Sequence, residues 1–169
     1  MKLKLIAAVC EYNNGIGKDN KIPWKKKADL KFFSKMTKKN KKNAVLMGTN
    51  TWYSLPGELK DRLNIVIGSS LKGKPDTVLN FHTLKEGVDY CKRSKDLEEI
   101  WVIGGSKIYN SVIDEFYEDI DEIVITWIKE YYECDTFFPK LDENFVLYKN
   151  RYIGEEYELK VGYYKKTNK

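Results

Sequence analysis

The tightest restriction on how this chain folds comes from an alternation of short apolar runs with helix-like segments, followed by two strand-like segments with no helix between them. Residues 3–10 form a nearly continuous apolar run, as expected of a central strand covered on both faces. Turn formers follow in Asn13-Asn14-Gly15-Ile16-Gly17, and the loop ends at Pro23-Trp24. Residues 28–38 have helical periodicity, with Leu30, Phe33 and Met36 near one face. Strands are expected at 44–48, 64–68, 78–79, 99–103 and 123–128, and helices at 51–55, 83–91 (capped near Thr83) and 106–113. The last two segments, 145–151 and 158–165, are strands without helices. A length of 169 residues suits one domain spanning 1–169. The expected fold is α/β: a mostly parallel central sheet with an antiparallel C-terminal edge hairpin, flanked by about four helices.

Charge and cysteine content narrow the function classes. Thirty basic residues against 25 acidic leave a net charge of +5. Much of the excess lies in Lys25-Lys26-Lys27 and Lys38-Lys39-Asn40-Lys41-Lys42. Both runs flank a helix-like segment and read as solvated faces; a basic nucleic-acid-binding module is the remote alternative, and no nucleic-acid partner is expected. Cys10, Cys91 and Cys134 share no metal or CxxC spacing and His82 is the only histidine, so reduced thiols and no metal are expected. Residues 1–10 loosely imitate a signal sequence, but Lys4 interrupts a run that is already too short. With no membrane-spanning stretch, the expected compartment is cytoplasmic. Nothing in the sequence suggests an obligate interface, so a monomer is expected.

Three features carry chemistry. Asp29 falls in the first turn of a helix and shares a face with Phe33 and Met36, at i+4 and i+7. If that face is buried, the carboxylate needs donors or a proton, and an edge with two adjacent N–H groups would satisfy it. The competing reading is an acid favoured by the helix dipole. Residues 100–109 run from a buried strand through Gly104-Gly105 into a helix, which suits either a pyrophosphate at the helix start or a tight packing turn. Two more strand ends, Gly48-Thr49-Asn50-Thr51 and Gly68-Ser69-Ser70, are small or hydroxylated. In open α/β sheets the ligand crevice lies at such carboxyl ends.

Taken in order, Leu5-Ile6-Ala7-Ala8, Gly15-Ile16-Gly17, Pro23-Trp24, Ala28-Asp29-Leu30 with Phe33, and Met47-Gly48-Thr49-Asn50-Thr51-Trp52 form a recognisable series. Arg62-Leu63-Asn64, Ile103-Gly104-Gly105 with Tyr109, and Asp135-Thr136-Phe138-Pro139 continue it. The series resembles dihydrofolate reductases, of the bacterial or phage type, along the whole chain. The resemblance implies an NADPH-dependent reduction of 7,8-dihydrofolate by hydride transfer to pterin C6 with protonation at N5. A related reductase of another pterin or of a pyrimidine precursor is the alternative. Diaminopyrimidine or pteridine antifolates are the implied inhibitors.

By resemblance, Asp29 is the single active-site carboxylate, supported by Trp24 through an ordered water and by the Thr126 hydroxyl. Ile6, Ala8 and Ile103 line the pterin pocket, and Leu30, Phe33 and Leu55 form apolar walls. Arg62 grips the substrate's glutamate carboxylate. The resemblance places NADPH against Ala8 and the lid residues Asn14, Gly15, Ile16, Gly17, Lys18, Asp19 and Asn20. It adds Gly48, Thr49, Asn50 and Thr51, then Ser69 and Ser70 near the 2′-phosphate. Ile103, Gly104, Gly105, Ser106, Lys107, Ile108 and Tyr109 complete the set, with a cis Gly104–Gly105 bond. Thr49 and Lys107 stand where arginines are common, and Lys72 or Lys74 would compensate near the 2′-phosphate. Ile22 replaces a lid methionine, and residues 56–61 are compressed.

Overall fold

A computed structural model describes residues 1–39 and 41–167; Asn40, inside the second lysine run, lies outside them. The elements are β1 (Lys2–Cys10), β2 (Gly15–Gly17), α1 (Lys27–Lys38), β3 (Asn43–Gly48), α2 (Thr49–Ser54), β4 (Leu63–Ile67) and β5 (Leu79–Phe81). They continue with α3 (Leu84–Arg93), β6 (Glu99–Gly104), α4 (Ser106–Phe116), β7 (Ile120–Ile128), β8 (Thr136–Phe137), β9 (Phe145–Ile153) and β10 (Leu159–Lys166). Eight strands form one sheet in the order β5-β4-β3-β6-β1-β7-β10-β9. The first six run parallel, and β10 pairs antiparallel with β7 and β9. The expected parallel sheet with an antiparallel C-terminal hairpin and about four helices is the observed architecture, with four α-helices among the described residues.

β1 lies between β6 and β7 and is buried along nearly its whole length, which explains its unbroken apolar run. Alternation along the strand sends Leu3, Leu5 and Val9 to one face, with Val88 and Cys91 of α3 and Ile108 and Val112 of α4. Ile6 and Cys10 point to the other face, where Trp24 and the Phe32 and Met36 side chains of α1 pack. The register sets Ile6 opposite Val124 and Ala8 opposite Thr126.

Several boundaries differ from the periodicity reading. The buried residues of α1 are Phe32, Met36 and Thr37, while Leu30 is 63% exposed. The expected face of Leu30, Phe33 and Met36 is therefore rotated, because Phe32 and Met36 at i, i+4 meet the sheet. α2 begins at Thr49, directly after the N-cap Gly48, so Thr51 lies within it rather than opening it. Val78 is buried but precedes β5. Thr83 caps α3 in a reciprocal capping box with Glu86, as its position suggested.

A two-stranded sheet, β2 with β8, was not anticipated. Nor was a buried charge cluster at the start of the sheet. There the Lys4 ammonium lies 2.8 Å from Glu99 and 3.2 Å from Glu122.

Candidate active site

Asp29 sits in the first turn of α1, whose N-cap residue Lys26 supplies no side-chain cap. The side chain is partly buried beside Thr126 of β7, whose hydroxyl is hydrogen-bonded to it. Burial pushes the Asp29 carboxyl above its ordinary range, and the Thr126 hydrogen bond only partly offsets this. Tyr109 of α4 is buried close by; burial first, and the Asp29 charge second, push its phenol up. Its hydroxyl donates to the Ile6 carbonyl at 2.6 Å, tying α4 to the centre of β1.

Trp24 is buried, edge-on to Tyr132 at 5.4 Å. Its indole Nε1 has no hydrogen-bond partner among the described residues. A buried N–H left in that state costs free energy, so it calls for an acceptor from a ligand or solvent. Ile6 and Trp24 belong to one cluster against which Ala8, Phe33, Leu55 and Ile103 pack, so the expected wall residues converge. Leu30 belongs to neither core cluster and projects outward.

Arg62 is half-buried. Its Nη1 donates to Thr37 Oγ1 at 3.0 Å and its Nε to the Lys60 carbonyl at 2.9 Å. Thr37 in turn donates to the Phe33 carbonyl at 2.9 Å, so the guanidinium is fastened to the helix that carries Asp29. Burial lowers its pKa and Asp61 opposes the shift.

The three glycine-bearing strand ends meet through side chains of α2 and α4. A Cβ on Gly48 would lie 3.0 Å from Ile108, one on Gly68 would lie 2.7 Å from the Thr49 methyl, and one on Gly105 would lie 3.6 Å from Thr51 Oγ1. Gly104, at φ +122°, holds a conformation that L side chains rarely adopt, and the Gly104–Gly105 peptide is cis, as expected. α4 starts at Ser106 after Gly105, with no side chain capping it. First-turn amides without intrahelical acceptors, the helix dipole and a backbone without Cβ atoms are features that can accept a phosphate chain. Ser69 and Ser70 are exposed just beyond Gly68.

The loop from Asn14 to Asn20 is held by a segment to which sequence reasoning gave no role. β2 pairs with β8, Asn14 Nδ2 donates to the Phe138 carbonyl at 2.7 Å, and Asp19 N donates to Asp135 Oδ2 at 3.0 Å. A Cβ on Gly15 would fall 2.3 Å from Cys134 Sγ, and one on Gly17 would fall 2.6 Å from Thr136 Oγ1. The Gly-Ile-Gly spacing is thus a packing requirement of this contact. The signal lay in Asp135-Thr136-Phe137-Phe138, which belongs to no periodic element. Thr37 and Tyr109 gained partners that spacing does not show.

Comparison with known proteins identifies the family. A family model described as dihydrofolate reductase matches residues 2–166. A dihydrofolate reductase of Heliothis virescens is 39% identical over 154 residues, covering 85% of this chain and 82% of that protein. That of Drosophila melanogaster is 36% identical over 154 residues, covering 86% and 83%. That of Gallus gallus is 36% identical over 155 residues, covering 83% and 79%. These three relatives are animal enzymes rather than bacterial or phage ones. With a partly buried acid at the carboxyl end of a parallel sheet, a glycine-rich turn beside it and a family match over residues 2–166, the protein belongs to the dihydrofolate reductase family.

Proposed function

We propose that the protein reduces 7,8-dihydrofolate to 5,6,7,8-tetrahydrofolate with NADPH, delivering hydride to pterin C6 while N5 gains a proton. The observation that carries this reading is Asp29, a half-buried carboxyl with raised proton affinity and Thr126 as its partner. Such a group recognises the adjacent N3–H and 2-amino N–H of a pterin by a paired, charge-assisted contact. The unpartnered Trp24 N–H stands ready to hold a water beside the same ring. Through that water Asp29 favours the N5-protonated form, which makes C6 more electrophilic.

Ile6, Ala8 and Ile103 enclose the ring, and Phe33 and Leu55 wall the aminobenzoyl group. Leu30, exposed on the next position of the helix, offers a further apolar contact at the open mouth. Arg62, positioned by Thr37, binds the substrate's glutamate carboxylate. The Gly104-Gly105 cradle with Ser106, Lys107 and Ile108, together with Gly48, Thr49, Asn50 and Thr51, fits a pyrophosphate-bearing cofactor. When bound, the nicotinamide supplies the hydride. Ser69 and Ser70, with Lys72 or Lys74 nearby in sequence, give NADPH its preference over NADH through the 2′-phosphate. The Asn14–Asn20 loop covers the nicotinamide end and excludes water.

Among the described residues no helix is long and apolar enough to cross a membrane. All three cysteines are free thiols, which suits a reducing cytoplasm, and we place the enzyme there as a monomer. The test is direct. Purified protein mixed with NADPH and dihydrofolate should lose the cofactor's near-ultraviolet absorbance, and a diaminopyrimidine antifolate should stop the loss. No loss at saturating ligands would remove the folate reading.

A further inference from the structure

Four cations from separate parts of the chain meet at a cleft outside the folate and cofactor sites. Its volume is about 280 Å³, and Phe32, Lys35, Met36 and Lys39 of the α1 segment form one wall. Tyr148, Lys149 and Arg151 of β9, Tyr163 of β10 and Glu122 of β7 form the other. Lys35, Lys39, Lys149 and Arg151 have no acidic ion-pair partner among the described residues. The cations on β9 are instead braced by rings. Lys149 Nζ lies 4.6 Å from the Tyr163 centroid, and Arg151 lies 5.7 Å from that of Phe32 and hydrogen-bonds the Tyr163 hydroxyl.

Glu122, the acidic group on the wall, is already occupied: it pairs with Lys4 at 3.2 Å and accepts from the Tyr148 hydroxyl. Lys39 ends α1 in the left-handed region at φ 44°, a conformation glycine usually takes there. Burial, with the nearby Lys4 charge, holds its ammonium below the ordinary lysine range. Four cations against one carboxylate leave the cleft with a positive surplus, to which a multiply charged anion would be drawn.

We propose that this cleft is a phosphate-binding site for a doubly charged phosphoryl group, either inorganic or carried by a small phosphorylated molecule. The guanidinium of Arg151 supplies a forked contact and the three lysines supply point charges. A cleft of about 280 Å³ has room for a phosphate or a pyrophosphate. The cleft shares no residue with the folate and cofactor sites: it is lined from β9, β10, Glu122 of β7 and the 32–39 stretch of the α1 segment, whereas Asp29 meets Thr126.

The experiment is calorimetric titration of inorganic pyrophosphate into enzyme already saturated with NADPH and a diaminopyrimidine antifolate, so that the cofactor cradle is blocked. Binding is expected at low salt. Lys149→Glu/Arg151→Glu should weaken it by about thirty-fold, the loss of two charge-assisted contacts. Lys35→Glu, on the exposed side of the opposite wall, should weaken it about tenfold without disturbing the braced strand. Lys95→Glu/Lys129→Glu, with the same change in net charge elsewhere, should leave it within about twofold. No binding to the loaded enzyme, or equal loss in the control pair, would overturn the proposal. So would an oligonucleotide that binds more tightly with length while pyrophosphate does not bind, since the face would then serve polynucleotides.

Discussion

Lys4→Met should destabilise the fold more than any single change at the active site. The ammonium is 9% exposed and lies 2.8 Å from a Glu99 carboxylate that is 3% exposed and 3.2 Å from a Glu122 carboxylate that is 8% exposed. At an effective dielectric constant of about 20 these distances correspond to attractions of about 6 and about 5 kcal/mol, before desolvation. Dehydrating three charges cancels most of that gain, so the intact cluster adds little net stability. Removing the cation alone is different.

Glu99 would keep Lys41 at 3.6 Å and the Trp101 and Asn43 donors, and Glu122 would keep the Tyr148 hydroxyl. Neither set replaces a buried ammonium, and the expected loss is about 3–5 kcal/mol near neutral pH. The pH dependence has a definite sign. Burial alone would raise the Glu99 pKa, but the hydrogen bond and charge of Lys4 outweigh it and hold the carboxyl below its ordinary 4.5. That contribution is present above the ordinary value and is lost as pH falls through the depressed one. Without Lys4 the buried Glu99 carboxylate takes up a proton more readily, so acidification narrows the gap between the two proteins.

Urea unfolding at pH 7.5 and at pH 5 measures both effects, provided the m-value is unchanged. A gap below about 1 kcal/mol, or one equal at the two pH values, would refute the reasoning.

Other substitutions separate the roles of the site residues. Arg62→Leu should raise the KM for dihydrofolate by about tenfold to a hundredfold, the loss of a charge-assisted contact, while the Kd for NADPH by fluorescence titration stays nearly constant. Gly104→Ala forces a Cβ onto a backbone at φ +122° within 3.4 Å of Tyr109; weaker NADPH binding and a lower Tm are expected in titration and thermal melts. Gly15→Ala pushes against Cys134, so the loop should lose protection in hydrogen exchange and turnover should fall.

How much of this was visible in the residues depended on the range of the interaction. The sheet strands and α3 were legible because burial imposes a period on contiguous residues, and Thr83 with Glu86 spells a cap within four positions. The face of α1 was not, because the angle at which a helix crosses a sheet decides whether Phe32 or Leu30 turns inward. β2 and β8 escaped because elements of three and two residues have no period. Asp29 drew notice from its apolar neighbours, yet its hydrogen bond to Thr126 joins the first helix to the seventh strand, and no spacing rule reaches that far. The Lys4 cluster was hidden in the same way. In the sequence Lys4 looks like an interruption of an apolar strand, and only the register beside Glu99 and Glu122 shows why a charge is tolerated there. The lysine runs read as solvated faces, and for most of their members the fold agrees. Lys39, however, lines a cleft with cations from β9.

The central claim is that Asp29, partly withdrawn from water, controls protonation of the substrate. Single-turnover hydride transfer followed across the pH range by stopped flow, in the wild type and in Asp29→Asn, tests it most directly. The wild-type rate should fall as pH rises through a value above the ordinary aspartate range, since burial raises the Asp29 pKa. Asp29→Asn should lose about 10²–10⁴-fold at neutral pH and show no such titration, with its circular dichroism unchanged. A folded variant that keeps both the rate and the pH profile of the wild type would contradict the account.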